Sequence, residues 1–318
     1  MLKKLFTIRN LVILLLVVAL FVVSGMLGLK VPLPEVSIAA ETVIHLGPIQ
    51  ITNALLTAWV AMILLIIVAY FATRSIPKDL SSASTGDLVP SGFQNVVEML
   101  IEGFHGMVKS IAGHWTPQFF PIVMTIFLFV VLSNWLGLIP GFGSIGLLEP
   151  AHNAEATSYV AHGAILTAEP VHDGYILVPF FRAPSTDLNF TLALALVSVV
   201  LSQYFGIRAL RLSYFKRFFN FGGFKDGALM GIAELFAGLL EIIAEFAKII
   251  SFSFRLFGNI FAGEVLLSVV AFLIPYIVSL PFYGLEVFVG FIQAIVFMML
   301  TLVFFASATI GHGSEEHH

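Results

Sequence analysis

Long apolar runs recur along this chain, and they fix the solvent in which it can fold. Leu11 to Leu29, Ile51 to Thr73, Phe119 to Leu138, Leu188 to Ile207, Ala228 to Leu273 and Leu280 to Ala308 all approach or exceed the helix length that crosses about 30 Å of hydrocarbon. Hydrophobic residues make up 59% and charged residues 11% of the 318 positions, against about 45–50% and about 25% in soluble globular chains. Too little polar surface remains to cover a water-soluble particle, so the bilayer is the main solvent. The expected fold is an all-α polytopic membrane protein. A net charge of −4 leaves no basic footprint for nucleic acid. With no Cys, disulfides, thiolate metal sites, iron–sulfur clusters and cysteine nucleophiles are excluded.

The sparse charges set the expected topology. Lys3, Lys4 and Arg9 precede the first apolar run, which reads as a signal peptide or as an extra signal-anchor helix. Its length, and the distance to the best cleavage candidate, Ser37 to Ala40, favour a retained helix. Residues 31–49 carry Glu35 and Glu41, with Lys30 just before them as the only positive charge between the two runs, and are expected outside; Arg74 and Lys78 place residues 74–90 in the cytoplasm. Residues 1–49 therefore form an N-terminal hydrophobic and external segment, and residues 50–318 the main membrane domain. Within 139–182 Arg182 is the sole cation among several acids and histidines, so this stretch is expected to be an external, loosely solvated loop. Arg208, Arg211, Lys216, Arg217 and Lys225 form the densest basic cluster, a cytoplasmic marker whose simplest role is topology alone. The C-terminus is then cytoplasmic.

Residues 92–112 differ in kind. Phe93, Val96, Val97, Leu100, Ile101, Phe104 and Met107 recur at helical spacing, with Gln94, Glu98, Glu102 and His105 on other faces. Such a helix between two spans lies in the interface. The run Ala228 to Leu273 stays helical for about 45 residues, about 69 Å at 1.5 Å per residue, too long for one upright span. It is either two spans or one steeply oblique helix, and 280–308 returns antiparallel to it.

Ionisable residues inside membrane helices are costly and point to function by default. Glu234, Glu241, Glu245, Lys248, Arg255, Glu264 and Glu286 all fall in the last two helical runs. At 100° per residue, Lys248 lies about 20° from Arg255, and Glu241 and Asn259 both about 40° on the same side. Glu264 falls about 180° away. Glu286 and Gln293, seven residues apart, share a face. Arginine does not shed its proton in proteins, so Arg255 needs a carboxylate partner or a transient anion. The carboxyls can take up protons, and a series of them leading to a fixed cation is a plausible proton path. The alternative is a set of internal salt bridges, which suits Glu241, Glu245 and Lys248 best because they lie towards the cytoplasmic end.

At these residues the chain resembles a known family. Ser251-Phe-Ser-Phe-Arg-Leu-Phe-Gly-Asn-Ile-Phe-Ala-Gly-Glu264 closely resembles the signature of subunit a of F-type ATP synthases, with an arginine, an asparagine four residues on and a glutamate nine residues on. Phe291 to Thr301 is similar to the family's last-helix motif, and Pro184 to Leu196 to its third segment, in which an Asp-x-Asn pair (Asp187 and Asn189) recurs. The resemblance implies a stator subunit whose long, tilted C-terminal hairpin packs against a ring of c subunits, alongside peripheral-stalk b subunits. It implies two aqueous half-channels reaching the ring carboxylate, with Arg255 as the essential arginine between them. Asn259 and Gln293 would be polar neighbours of that arginine, Glu264 would line the outer half-channel, Glu286 would be a titratable member of the proton path, and Glu241 an inner-channel carboxylate. Glu245 and Lys248 are secondary candidates, as are Asp187 and Asn189. Position 286 often carries His in the family, and the long 139–182 loop is a further departure. No cofactor or metal is implied, the ATP chemistry resides on other chains, and the location is a bacterial plasma membrane.

Other readings are weaker. Gly141 to Gly146 fits GxGxxG without a strand–helix context, and Asn189-Phe-Thr191 fits a glycosylation acceptor at a membrane-helix start. An independent ion-coupled transporter would call for inverted repeats, and none is visible. An intramembrane enzyme would need a nucleophile–base pair or metal cluster within the spans, yet all nine His lie in loops, termini or the interfacial helix. A sodium-translocating form of the same subunit stays open, since the ring selects the ion.

Overall fold

The computed structural model describes residues 37–47, 49–74, 76, 92–139, 141–150, 158–162, 165–169, 175–218, 227–273 and 279–310. The first apolar run, most of the 74–90 loop, Lys225, His152, His172 and the terminal His pair lie outside them. Strands β1 (Thr42–Leu46) and β2 (Ile49–Thr52) pair antiparallel and lead directly into α1 (Asn53–Thr73). Then follow α2 (Phe93–Ala112) and α3 (Thr116–Gly137), a second set of strands, α4 (Leu188–Leu210) with a 3-10 segment to Arg217, α5 (Ala228–Leu273) and α6 (Leu280–Thr309). Among the described residues, five helical stretches are long and apolar enough to cross a membrane: α1, the α2–α3 stretch, α4 with its extension, α5 and α6. The mostly helical, polytopic architecture follows from the apolar runs.

Local chemistry sets the helix ends. The Thr52 hydroxyl accepts from the Leu55 N–H at the start of α1, and the Asp187 carboxylate accepts from the Asn189 N–H (2.9 Å) at the start of α4. Gly113, at φ +54°, turns the chain between α2 and α3, in a conformation that side-chain-bearing residues rarely adopt. Helix α2 buries Phe104, Val108 and Ala112, whereas Phe93 and Val96, which belong to the apolar stripe of its sequence, are exposed, as is Met99.

The core is aromatic. Phe119 on α3, Phe205 on α4 and Phe305 on α6 meet pairwise with ring centroids 4.8–5.3 Å apart, and Phe252 on α5 stacks on Phe297 at 3.8 Å. Polar groups cross the same interfaces. The Thr191 and Ser253 hydroxyls share a 3.0 Å hydrogen bond, Thr301 donates to Ser198, and Asn134 donates to the Gly290 carbonyl. In lipid the hydrophobic effect does not drive helices together, so close packing and such hydrogen bonds do.

The 46 residues of α5 are one continuous helix, which decides between the two alternatives that the sequence left open. One feature departs from the sequence reading. The 139–182 stretch is not wholly irregular: β3 (Gly146–Pro150), β4 (Ser158–His162), β5 (Ile165–Glu169) and β6 (Tyr175–Pro179) form an antiparallel sheet in the order β3-β6-β4-β5. Gly146 permits it, because a Cβ there would collide with the Val178 backbone.

Candidate functional site

Helix α5 carries three stations of charge, here called inner, middle and outer after the charge-derived topology. Their axial spacing is set by the helix rise: Arg255 lies about 15 Å from Glu245 and about 14 Å from Glu264.

The inner station is a paired network. Arg217, at the end of the 3-10 segment after α4, ion-pairs with Glu241 and lies 3.3 Å from Glu245. Lys248 binds Glu245 at 2.7 Å, and Gln203 on α4 donates to the other Glu245 oxygen at 3.1 Å. The Tyr214 hydroxyl donates to the Gln203 side-chain oxygen at 2.6 Å, which fixes the orientation of that amide. Gly206 makes this possible: a Cβ there would strike the Tyr214 ring. The helical stripe groups Glu241 and Lys248, but the cation that joins Glu241 to Glu245, Arg217, reads in the sequence as a topology marker. Its only sequence signal is membership of the basic cluster.

The middle station is bare. Arg255 and Asn259 are exposed on one face of α5, and Arg255 has no hydrogen bond or ion pair among the described residues. On the same side of the helix, within about 60° of Arg255 at 100° per residue, α5 exposes Leu240, Leu266, Val269 and Leu273. A guanidinium set in an apolar surface is costly in lipid, and an exposed apolar face of this extent marks an interaction surface. Gln293 on α6 is half-buried.

The outer station holds one ion pair and one carboxyl without a partner. Glu264 points to the opposite side of α5 from Arg255, as the 100° rule requires, and receives Arg182 at 3.1 Å through Nη2 and 3.3 Å through Nε. Arg182 is only 8% exposed, whereas Glu264 is 40% exposed. Glu286 on α6 is buried, with its carboxyl against the backbone of Gly263, where a Cβ would collide with it. Its Oε1 has no hydrogen-bond partner among the described residues. Glu264 and Glu286 are thus neighbours across the α5–α6 contact although 22 residues separate them in sequence (286 − 264). Asp187 and Asn189 form the cap of α4, and neither hydrogen-bonds to a residue of the three stations among the described residues.

Sequence reasoning missed Arg182 as a partner of Glu264. Its signal was its isolation, since it is the only Lys or Arg of residues 139–182. Among the described residues no cluster of His, Asp and Glu has the make-up of a metal site.

Comparison with known proteins follows the same residues. The profile of the family described as ATP synthase A chain matches residues 55–306. ATP synthase subunit a of Moorella thermoacetica is 31% identical over 271 residues, 85% of this chain and 96% of that protein. ATP synthase subunit a of Campylobacter jejuni subsp. doylei is 33% identical over 250 residues, 77% of this chain and 84% of that protein, and its counterpart from Geotalea uraniireducens is 28% identical over 252 residues. The matched stretch takes in Arg182, Arg217, Arg255, Glu264 and Glu286 alike, and the chain belongs to the ATP synthase A chain family.

Proposed function

We propose that the chain is the proton-translocating stator subunit of a rotary F-type ATP synthase and supplies two half-channels to a ring of c subunits. The observation that carries this reading is the bare Arg255 on an exposed apolar face of α5, midway between two acidic stations. A fixed cation with no partner among the described residues suits a partner that comes and goes. A carboxylate on a passing ring subunit meets that need. Two unit charges about 4 Å apart at an effective dielectric of about 20 interact by about 4 kcal/mol, which favours the ionised carboxylate about a thousandfold. A protonated carboxyl gains no such attraction, so it leaves the arginine towards lipid and returns only after release of its proton. Arg255 thereby keeps the two half-channels from short-circuiting.

In this reading Glu264 and Glu286 belong to the outer half-channel and Glu241 to the inner one, with Asn259 and Gln293 as polar neighbours of the arginine. The exposed face of α5 meets the c-ring, and peripheral-stalk b subunits hold the chain still. Residues 1–49 form an added N-terminal segment and 50–318 the membrane domain, in a bacterial plasma membrane with the C-terminus cytoplasmic. ATP is made and hydrolysed on other chains, so this subunit is a conduit and not itself an enzyme.

The test is ATP-driven acidification of inverted membrane vesicles that carry the complex with Arg255→Ala. Pumping is expected to vanish while the complex still assembles; pumping at the normal rate defeats the reading.

A further inference from the structure

We propose that Arg182 is a positioning residue that clamps the external chain segment Ser37–Ala39 against α5 beside Glu264, so that water reaches this carboxylate from one side only. The argument rests on how many elements one side chain joins. Its Nη2 donates to the Ser37 carbonyl at 2.7 Å and its Nη1 to the Ala39 carbonyl at 3.2 Å, while Nε and Nη2 also donate to Glu264. Its backbone N–H donates to the Thr57 hydroxyl at 3.1 Å, and Thr57 is anchored in turn to the Asn53 carbonyl at 2.9 Å. Asn53 then ties both flanks: its N–H donates to the Glu41 carbonyl at 2.9 Å and its amide to the Pro179 carbonyl at 3.3 Å. The external segment, the start of α1, the end of β6 and the outer half of α5 are therefore fastened at one point.

Arginine suits this post for a geometric reason. Its planar fork offers five N–H donors in fixed directions, so one guanidinium can hold two carbonyls and a carboxylate together, whereas an ammonium is a point charge. The charge is nearly removed from water and Glu264 is its carboxylate partner, while Glu264 keeps 40% of its side chain exposed. One side of that carboxylate is covered by the clamp and the other is open. Removing a buried, hydrogen-bonded charge leaves its partners unpaired, which is costly enough to open a local segment. The proposal uses Glu264 as an outer-channel group and so rests on the proton-path reading above.

The absence of Cys in the chain makes the test clean. Ser268 lies one turn outward from Glu264 and donates to its carbonyl, so Ser268→Cys reports on that cover. In the assembled complex, its labelling rate with a membrane-impermeant thiol reagent is compared in Arg182, Arg182→Lys and Arg182→Gln backgrounds, alongside ATP-driven pumping. Arg182→Gln is expected to raise labelling about tenfold and to slow pumping at least threefold, on the order of what losing a charged clamp produces. Arg182→Lys, which keeps the charge but not the fork, is expected to preserve most of the pumping with intermediate labelling. Unchanged labelling in Arg182→Gln overturns the proposal, as does raised labelling with unchanged pumping. Should Arg182→Gln fail to assemble, the intact mass of the mature wild-type subunit decides: a chain that begins beyond Ala39 has no segment to clamp. If instead Arg255→Ala still pumps, the proton-path reading falls while the labelling result stands on its own.

Discussion

At the inner end of α5, Glu241 and Glu245 face two cations, Arg217 and Lys248; at the outer end, Glu264 and Glu286 face one, Arg182. The inner set is balanced, and a neutral amide and a phenol hold it from the α4 side. The outer set leaves the Glu286 Oε1 without a partner and buried beside Gly263. To hold that carboxyl as an anion there costs several kcal/mol unless a cation or water arrives. Balanced charge suits a fastening between helices, and unbalanced charge suits a group that exchanges its proton. The difference teaches that a count of acids per helix says little until each has been assigned its cation.

Four substitutions can break or sharpen this contrast. The largest effect is expected at Gly263→Leu, whose side chain has to displace the Glu286 carboxyl and part α5 from α6. A loss of about 3 kcal/mol or more is expected, read as failure to recover intact complex in mild detergent; normal recovery shows that the helices have slack at this level. Next comes Arg217→Met, which leaves two carboxylates to Lys248 alone. A cost of about 3 kcal/mol is expected, measured as a lower thermal midpoint of the complex, and a shift no larger than that of a surface variant removes the fastening role. Glu241→Gln should cost only about 1 kcal/mol, because Arg217 keeps Glu245. If it proves as damaging as Arg217→Met, the inner acids are not interchangeable. The smallest effect is expected at Thr191→Val, which deletes a hydroxyl pair worth about 0.6 kcal/mol in membrane helices; that variant should leave the thermal midpoint and pumping near wild type.

The helices were legible because their signals are local. Apolar runs, the stripe of 92–112 and the 46-residue span without a turn all lie within single segments. The 180° offset of Glu264 from Arg255 was legible for the same reason, since one helix's periodicity contains it. The pairings were not. Arg182 meets Glu264 across 82 residues, and Arg217 meets Glu241 across 24. Such contacts depend on how helices cross and on where a connecting segment returns, and no single-helix period encodes that. Cation–carboxylate pairs also lack a spacing rule between segments, so Arg217 looked like any other basic residue near a membrane surface. The small sheets escaped for another reason: β3 to β6 are five-residue strands in a stretch rich in turn formers, where a strand pattern is too short to stand out.

The bare Arg255 also bears on how the subunit is made. An arginine near the bilayer centre disfavours insertion by about 2.5–3.5 kcal/mol on translocon scales and by more in simulations of isolated helices. No carboxylate in the described chain relieves it, so before assembly the newly inserted subunit has to draw water or lipid headgroups towards that position. On the proposed reading, docking to the ring removes this distortion of the surrounding bilayer. The residue proposed to govern ion transfer would then also bias biogenesis, with the orphan subunit as the strained state and the assembled one as the relaxed state.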